Sequence, residues 1–321
     1  MKKAAIIILI LILIIAIAIG AGYFYMKSKI DIVEYVEIPK EEIEISEEVV
    51  ENEEIRKYRN IVLIGIDNKD STYQMGRSDC IIIASINEET KEVKLVSVYR
   101  DTYLQISGRS LDKVNHAYAY GGPALSMSTL NTNLDLDITE FVAVNFEATK
   151  DIVDAVNGVT ITVTSAEAAN IPGINEAGTY NLNGSQALAY ARIRKIDSDY
   201  KRTERMRTVL DAVFAKAKKL SPAQLNKLVN TILPEISTNV SKDEIFSMIP
   251  EIINYKVTDS IGWPYNTRGK TINGVWYGPP ITLRSNVIQL HKELFGEEDY
   301  EPSEKVESIS RSIVNATGYR E

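Results

Sequence analysis

The sequence predicts a layered α/β domain on a mixed central sheet, carried by one N-terminal transmembrane helix. Two continuous aliphatic runs, "NIVLIGI" (Asn60–Ile66) and "CIIIASI" (Cys80–Ile86), read as strands buried on both faces. Further strand runs alternate irregularly with amphipathic helical stretches, which favours a mixed sheet over a purely parallel one. Nothing from Ala4 to Met26 is charged, and as a helix that is roughly 34 Å, enough to cross a hydrocarbon core.

The apolar run is longer than the h-region of a cleaved signal peptide, so we read a retained anchor, although "AIA" at Ala16–Ala18 resembles a cleavage site. Lys2 and Lys3 put a short tail, residues 1–3, in the cytoplasm and the bulk of the chain outside. Residues 4–26 are the anchor and 27–58 an acidic stalk. Between Asp31 and Glu54 stand eleven acids and one lysine, which anionic headgroups would push from the membrane. The alternation "EIEI" (Glu42–Ile45) also allows an edge strand there.

Composition narrows the function. A net charge of −8 disfavours a general nucleic-acid binder. One cysteine and two histidines exclude an intrachain disulfide and argue against a Cys/His zinc site. No P-loop pattern appears.

The folded part, residues 59–298, reads in order. The strand Cys80–Ile86, the turn "NEETKE" and the strand Val93–Val98 form a hairpin. A helix starts near Pro123, and "FVAVNF" (Phe141–Phe146) is a strand. A helix runs through Ala155, and "GVTITVT" (Gly158–Thr164) is a strand. Ser185–Arg192 is a short helix and Tyr200–Leu220 a long amphipathic one. Pro222–Ile232 and Lys242–Ile253 are further helices. "KTINGVWYG" holds an Asn-Gly hairpin turn, and Ser285–Phe295 is the last core helix. Residues 299–321 read as a polar tail. His116, in "NHAYAYGG", reads as a packed residue where loop passes into helix.

The segment "GIDNKDSTYQMGRSDC" (Gly65–Cys80) is unusually charged for a link between buried strands. In a hairpin, the start of one strand and the end of its partner share one end of the sheet. Arg77 and Asp79 therefore meet Arg100 and Asp101. Asp67 joins them if the first strand lies antiparallel beside the second. Such strand ends commonly bind ligands in α/β sheets, although each residue alone reads equally as a turn or surface ion pair.

A second cluster lies in "YARIRKIDSDYKRTERMR" (Tyr190–Arg207). Met206, Val209, Leu210, Val213, Phe214 and Ala217 share one helix face. Arg202 and Arg205, one turn earlier, lie on that inward face at the helix N-terminus, where dipole logic disfavours cations and an anion suits them. Arg192 and Arg194 point the same way if their segment is extended. The alternative is a solvated run balanced by Asp197, Asp199 and Glu204. Carboxylates for a hard cation together with arginines for phosphate oxygens describe a pyrophosphate–metal site suited to phosphoryl transfer.

These segments, with "NIVLIGID", "GRSDCIIIASIN", "VKLVSVYRDTYL", "DKVNHAYAYGG", "VNFEATKDIVDAVNGVTI" and "LNGSQALAYARIR", resemble in order and spacing the LytR–CpsA–Psr family. The resemblance is close from Asn60 to Leu220. It implies a three-layer α/β/α domain with a greasy tunnel, outside the plasma membrane of a Gram-positive-type bacterium. It also implies a phosphotransferase that moves a glycopolymer, such as teichoic acid or capsule, from a polyprenyl-pyrophosphate carrier to an N-acetylmuramic acid hydroxyl of peptidoglycan. By matching positions, Asp67 and Asp79 would carry Mg²⁺ (or Mn²⁺). Arg77, Arg100, Arg192, Arg194 and Arg202 would hold the pyrophosphate, and Asp101, beside Arg100, would orient or deprotonate the acceptor. Tyr99 stands where the family often has Pro, and Met206 where it often has Gln. Methionine cannot donate to phosphate, so either one head-group contact is missing or Arg205 replaces it. Two other readings remain open at this point: hydrolysis of the same donor, and non-catalytic binding of polyprenyl phosphate.

Overall fold

The structure is a computed structural model describing residues 33–66, 76–145, 147–193, 196–217, 219–221, 224, 231, 233–241, 244 and 254–319. In chain order it runs β1 (Glu34–Tyr35), α1 (Glu47–Glu51), β2 (Tyr58–Ile66), β3 (Ser78–Asn87), β4 (Glu92–Val98), β5 (Tyr103–Gln105), β6 (Leu111–Lys113), α2 (His116–Leu134) and β7 (Glu140–Asn145). Then come α3 (Glu147–Ala155), β8 (Val159–Val163), α4 (Ser165–Ala168), β9 (Gly178–Leu182), α5 (Gly184–Ala191), α6 (Asp199–Ala217) and β10 (Ile236–Thr238). The chain closes with β11 (Lys256–Trp263), β12 (Lys270–Ile272), β13 (Val275–Tyr277), α7 (Leu283–Phe295) and α8 (Glu304–Thr317). One seven-stranded sheet has the order β1-β10-β7-β2-β3-β4-β11. It is mixed, as expected: β3 and β4 are antiparallel, while β4 and β11 are parallel.

The described residues divide into two compact units, one of 33–36 with 64–66 and those between 142 and 255, the other of 37–63 with 76–141 and 256–319. The second unit holds the hairpin that the sequence anticipated. Every residue of β3 except Asn87 is buried, as befits a strand covered on both faces. Asn87 sets the turn by accepting from the amides of Glu89 and Thr90 at 3.0 and 2.9 Å. The register pairs Ile81 with Val98, so residues just before β3 and just after β4 meet at one edge. Lys94 donates to the carbonyls of Glu293 and Leu294 at 2.6 and 3.1 Å, placing a cation on the C-terminal end of α7.

Helix α2 carries a break at Gly121–Gly122, with Gly122 at φ 62°. Its second half starts at Pro123, whose missing N–H costs nothing at a helix start. The first half, from His116, is also helical. The hairpin β12–β13 turns through Asn273 and Gly274, both at positive φ, as the Asn-Gly pair predicts.

Two expectations change. The segment read as a polar tail contains α8, capped by Ser303 and closed by Gly318 at φ 69°. Its Val306, Ile309 and Ile313 are buried, and Ser303 donates through N and Oγ to Asp135 at 2.7 and 2.6 Å. A three-residue apolar stripe on an otherwise polar helix is enough to pack one side. Likewise, the acidic segment after Glu37 is part of the fold. Ile43, Val49 and Ile55 are buried, and Ser46 caps α1. Glu42–Ile45 forms no strand.

In the first unit, β1 lies parallel to β10, which pairs antiparallel with β7. β8 is a strand, yet it pairs with β9 in a separate two-stranded ribbon. Its alternating burial leaves one face to solvent. Gly184 opens α5 hard against the Lys150 backbone, where a Cβ would clash. Helix α6 buries Met206, Val209, Leu210, Val213 and Ala217, the face its spacing foretold.

The expected anchor, most of the helices expected at 222–232 and 242–253, and Phe146 lie outside the described residues. Among the described residues, no helix is long and apolar enough to cross a membrane. The packing of α8 makes a direct prediction. Ile313→Ala should cost about 2–4 kcal/mol in urea unfolding, as for a core aliphatic, whereas a solvated tail would respond within about 0.5 kcal/mol.

Candidate active site

The β3–β4 edge gathers charge inside the second unit. Arg100 Nη1 donates to Asp79 Oδ1 at 2.8 Å, and both side chains are almost fully buried. Asp101 follows on the same turn, with Arg100 Nε 3.4 Å from its Oδ2 and Lys113 Nζ 2.7 Å from its Oδ1. Burial pushes the Asp79 carboxyl up, but the Arg100 guanidinium helps hold it below the usual carboxylate range. Asp79 is therefore an anion at neutral pH. Arg77, one residue before β3, is exposed.

The turn that carries Arg100 and Asp101 is stitched from several sides. Thr102 N–H donates to Tyr99 O at 2.9 Å, Val114 N–H to Thr102 O at 2.9 Å, and Asn115 N–H to Arg100 O at 3.2 Å. Gly278 N–H donates to Asp101 O and Tyr99 N–H to Trp263 O, each at 2.9 Å. The Tyr99 ring lies so close to Gly262 that a Cβ there would clash. Where the family often fixes this turn with proline, a tyrosine packed on a glycine braces it here.

The arginine cluster belongs to the first unit. Arg202 is fully buried and Arg192 half-buried. Arg205 is buried, on the inward face that the sequence predicts. Its Nε donates to Glu167 Oε1 at 2.7 Å, its Nη1 to Ile193 O at 3.2 Å, and its Nη2 to Asp197. It lines a cavity of about 320 Å³ shared with Glu167, Asp197 and Glu204. Lys201 lines the same cavity, and the Arg205 guanidinium is engaged by two carboxylates and a carbonyl. Met206 beside it points into the core and is fully buried.

Asp67 and Arg194 lie outside the described residues. Among the described residues, no group of three or more His, Cys, Asp or Glu could hold a metal ion. Asp79 is the described carboxylate at the expected metal position.

Sequence reasoning missed Lys113, which grips Asp101, and Glu167, which grips Arg205. His116 opens α2 where loop passes into helix, as expected. That ring is partly exposed, and its Nδ1 lies 2.9 Å from Asp112 Oδ2. The motif "DKVNH" carried the signal, an acid four residues before a histidine.

Glu167 supplies a test. Burial pushes its carboxyl up, but hydrogen bonds from Thr164 and Arg205 bring it below the ordinary 4.5. A lowered folded value gives stability that is present above the ordinary range and lost as pH falls through the folded value. Acid titration of Tm should therefore fall less steeply in Glu167→Gln than in the wild type over that window.

Comparison with known proteins shows the family. A sequence profile of the LytR_cpsA_psr family matches residues 22–291. The polyisoprenyl-teichoic acid–peptidoglycan teichoic acid transferase TagU of Oceanobacillus iheyensis is 33% identical over 74% of this chain and 75% of its own. TagT of Bacillus subtilis, of the same description, is 35% identical over 65% of this chain and 70% of its own. Among solved structures, TagT bound to LIIa-WTA superposes with a TM-score of 0.59 at 27% identity, covering 84% of this chain and 94% of that one. TagT (YwtF) with bound octaprenyl pyrophosphate lipid gives a TM-score of 0.56 at 25% identity, covering 84% and 93%.

Proposed function

This chain belongs to the LytR_cpsA_psr family, and from that premise we propose that it transfers a glycopolymer from a polyprenyl-pyrophosphate carrier to a peptidoglycan hydroxyl. The observation that carries the reading is the buried Arg100–Asp79 pair with Asp101 beside it, a rigid charged edge at the end of β3 and β4. A desolvated guanidinium at a fixed position suits charge that develops on phosphoryl oxygens. The chemistry forms an O–P bond from the acceptor hydroxyl to the sugar-bearing phosphorus. It breaks the P–O–P bridge, and polyprenyl phosphate leaves.

Within this reading Arg77 and Arg100 grip the pyrophosphate, and the motif match assigns Arg192, Arg194 and Arg202 to the same ligand class. Asp101, held by Lys113, orients the acceptor. Mg²⁺ belongs to the proposal too. Asp79 is buried and anionic, which fits a hard cation, and Asp67 is its proposed partner. When bound, the ion would neutralise phosphate oxygens. The three-layer α/β/α arrangement, the anchor at residues 4–26 and an extracellular catalytic domain complete the proposal.

The test gives full-length protein a polyprenyl-pyrophosphoryl-N-acetylglucosamine donor, with and without undecorated peptidoglycan. Sugar phosphate bound to the wall is the expected result. Release of phosphate products at equal rate with or without peptidoglycan, and no wall-bound sugar, would instead make the chain a hydrolase. Arg100→Met should lower transfer by about 10²–10³-fold while the protein stays folded, as for loss of one preorganised donor.

A further inference from the structure

Asp112 and His116 form a dyad that the proposed reaction has not yet used. Asp112 Oδ2 accepts from His116 Nδ1 and from Tyr120 Oη, both at 2.9 Å, and its Oδ1 accepts from the Lys113 amide at 2.8 Å. A carboxylate only accepts, so His116 carries a proton on Nδ1, and in the neutral ring Nε2 is the lone pair. Nε2 has no hydrogen-bond partner among the described residues, and the side chain is 24% exposed.

The dyad stands at the charged edge. Lys113, next to Asp112, holds Asp101 at 2.7 Å, and Asn115, next to His116, donates its amide to Arg100 O at 3.2 Å. Ser78 Oγ, beside Asp79, donates to Asn115 O at 3.4 Å. Asp101 meanwhile has both oxygens engaged, Oδ1 by Lys113 and Oδ2 by Arg100.

We propose that His116, held in its Nδ1–H tautomer by Asp112, is the general base for the acceptor hydroxyl, and that Asp101 orients that hydroxyl. The inference rests on the transferase reading. The hydroxyl proton passes to Nε2 as the O–P bond forms. The bridge electrons leave with polyprenyl phosphate, and the imidazolium, paired with Asp112, returns its proton to water.

The surroundings suit this. Burial pushes the Asp112 carboxyl up, but the bonds from His116, the Lys113 amide and Tyr120 outweigh it, and the net direction is down. Asp112 therefore stays charged. Tyr120 on the same helix and Tyr277 on β13 are both pushed up, the first chiefly by its bond to Asp112, the second by burial. Tyr103 on β5 is raised by burial. All three stay neutral near pH 7. Arg109 lies over the Tyr120 ring and Lys113 over the Tyr277 ring, so His116 and Asp101 are the groups of this cluster placed to accept a proton.

The test compares full-length wild type with His116→Gln and Asp112→Asn, using the polyprenyl-pyrophosphoryl-N-acetylglucosamine donor and undecorated peptidoglycan. Expected for His116→Gln is a fall in kcat of about 10²-fold or more, an unchanged donor KM, an unchanged Tm and a lost acid limb in the kcat–pH profile. Asp112→Asn should fall less. Trifluoroethanol as acceptor should narrow the gap, because a more acidic alcohol needs less help from a base. With two histidines in the chain, ring ¹H–¹⁵N spectra assigned through His116→Gln should show the neutral Nδ1–H tautomer. Wild-type kcat with an intact acid limb in His116→Gln, or an Nε2–H tautomer, would overturn the proposal and leave the dyad as a clamp at the start of α2. A wild type that moves no sugar to any acceptor defeats the transferase reading itself, and this inference with it.

Discussion

The buried ion pair between Arg100 and Asp79 is the constraint around which the site is organised. A charged pair removed from water survives only where geometry and further hydrogen bonds compensate its desolvation. Here the hairpin register brings Asp79 to the start of β3 and Arg100 to the turn after β4. The turn is held by amides and carbonyls from β6, β11 and the end of β13. Neither residue can be moved without disturbing the edge of the sheet, so the pair fixes where Asp101, Lys113 and the start of α2 must stand.

This explains why a wide spread of sequence serves a small edge. Tyr99 packs on Gly262, Lys113 on Asp101, and Gly278 donates to Asp101. Each ties a different loop to the same turn. Preorganisation of this kind has functional value because donors fixed before substrate arrives need not reorganise when charge develops.

Much of this was legible in the sequence. The two aliphatic runs and the turn between the later strands foretold the β3–β4 hairpin, and hairpin geometry alone brought Asp79, Arg100 and Asp101 together. The inward face of α6 followed from its period. Other features were hidden for physical reasons. Arg205 is inward as expected, but its partner Glu167 lies 38 residues earlier, and periodicity gives no information about such a contact. The stripe Val306, Ile309, Ile313 is short enough to be lost in a polar composition. β8 reads as a strand by alternation, yet alternation does not say which sheet receives it. For His116, the acid–histidine spacing was present, but Asp112 sits on β6 rather than on the helix, so helical neighbour rules gave no reason to pair them.

The central claim is that Asp79 and Arg100 act as one unit in transfer, rather than as two separate surface charges. A double-mutant cycle with Asp79→Asn, Arg100→Gln and the double variant tests it most directly, read as the rate of sugar-phosphate transfer in folded protein. The account predicts that either single replacement loses nearly as much rate as the double, as residues of one unit do. Losses that add independently, or folded single variants that keep wild-type transfer, would contradict it.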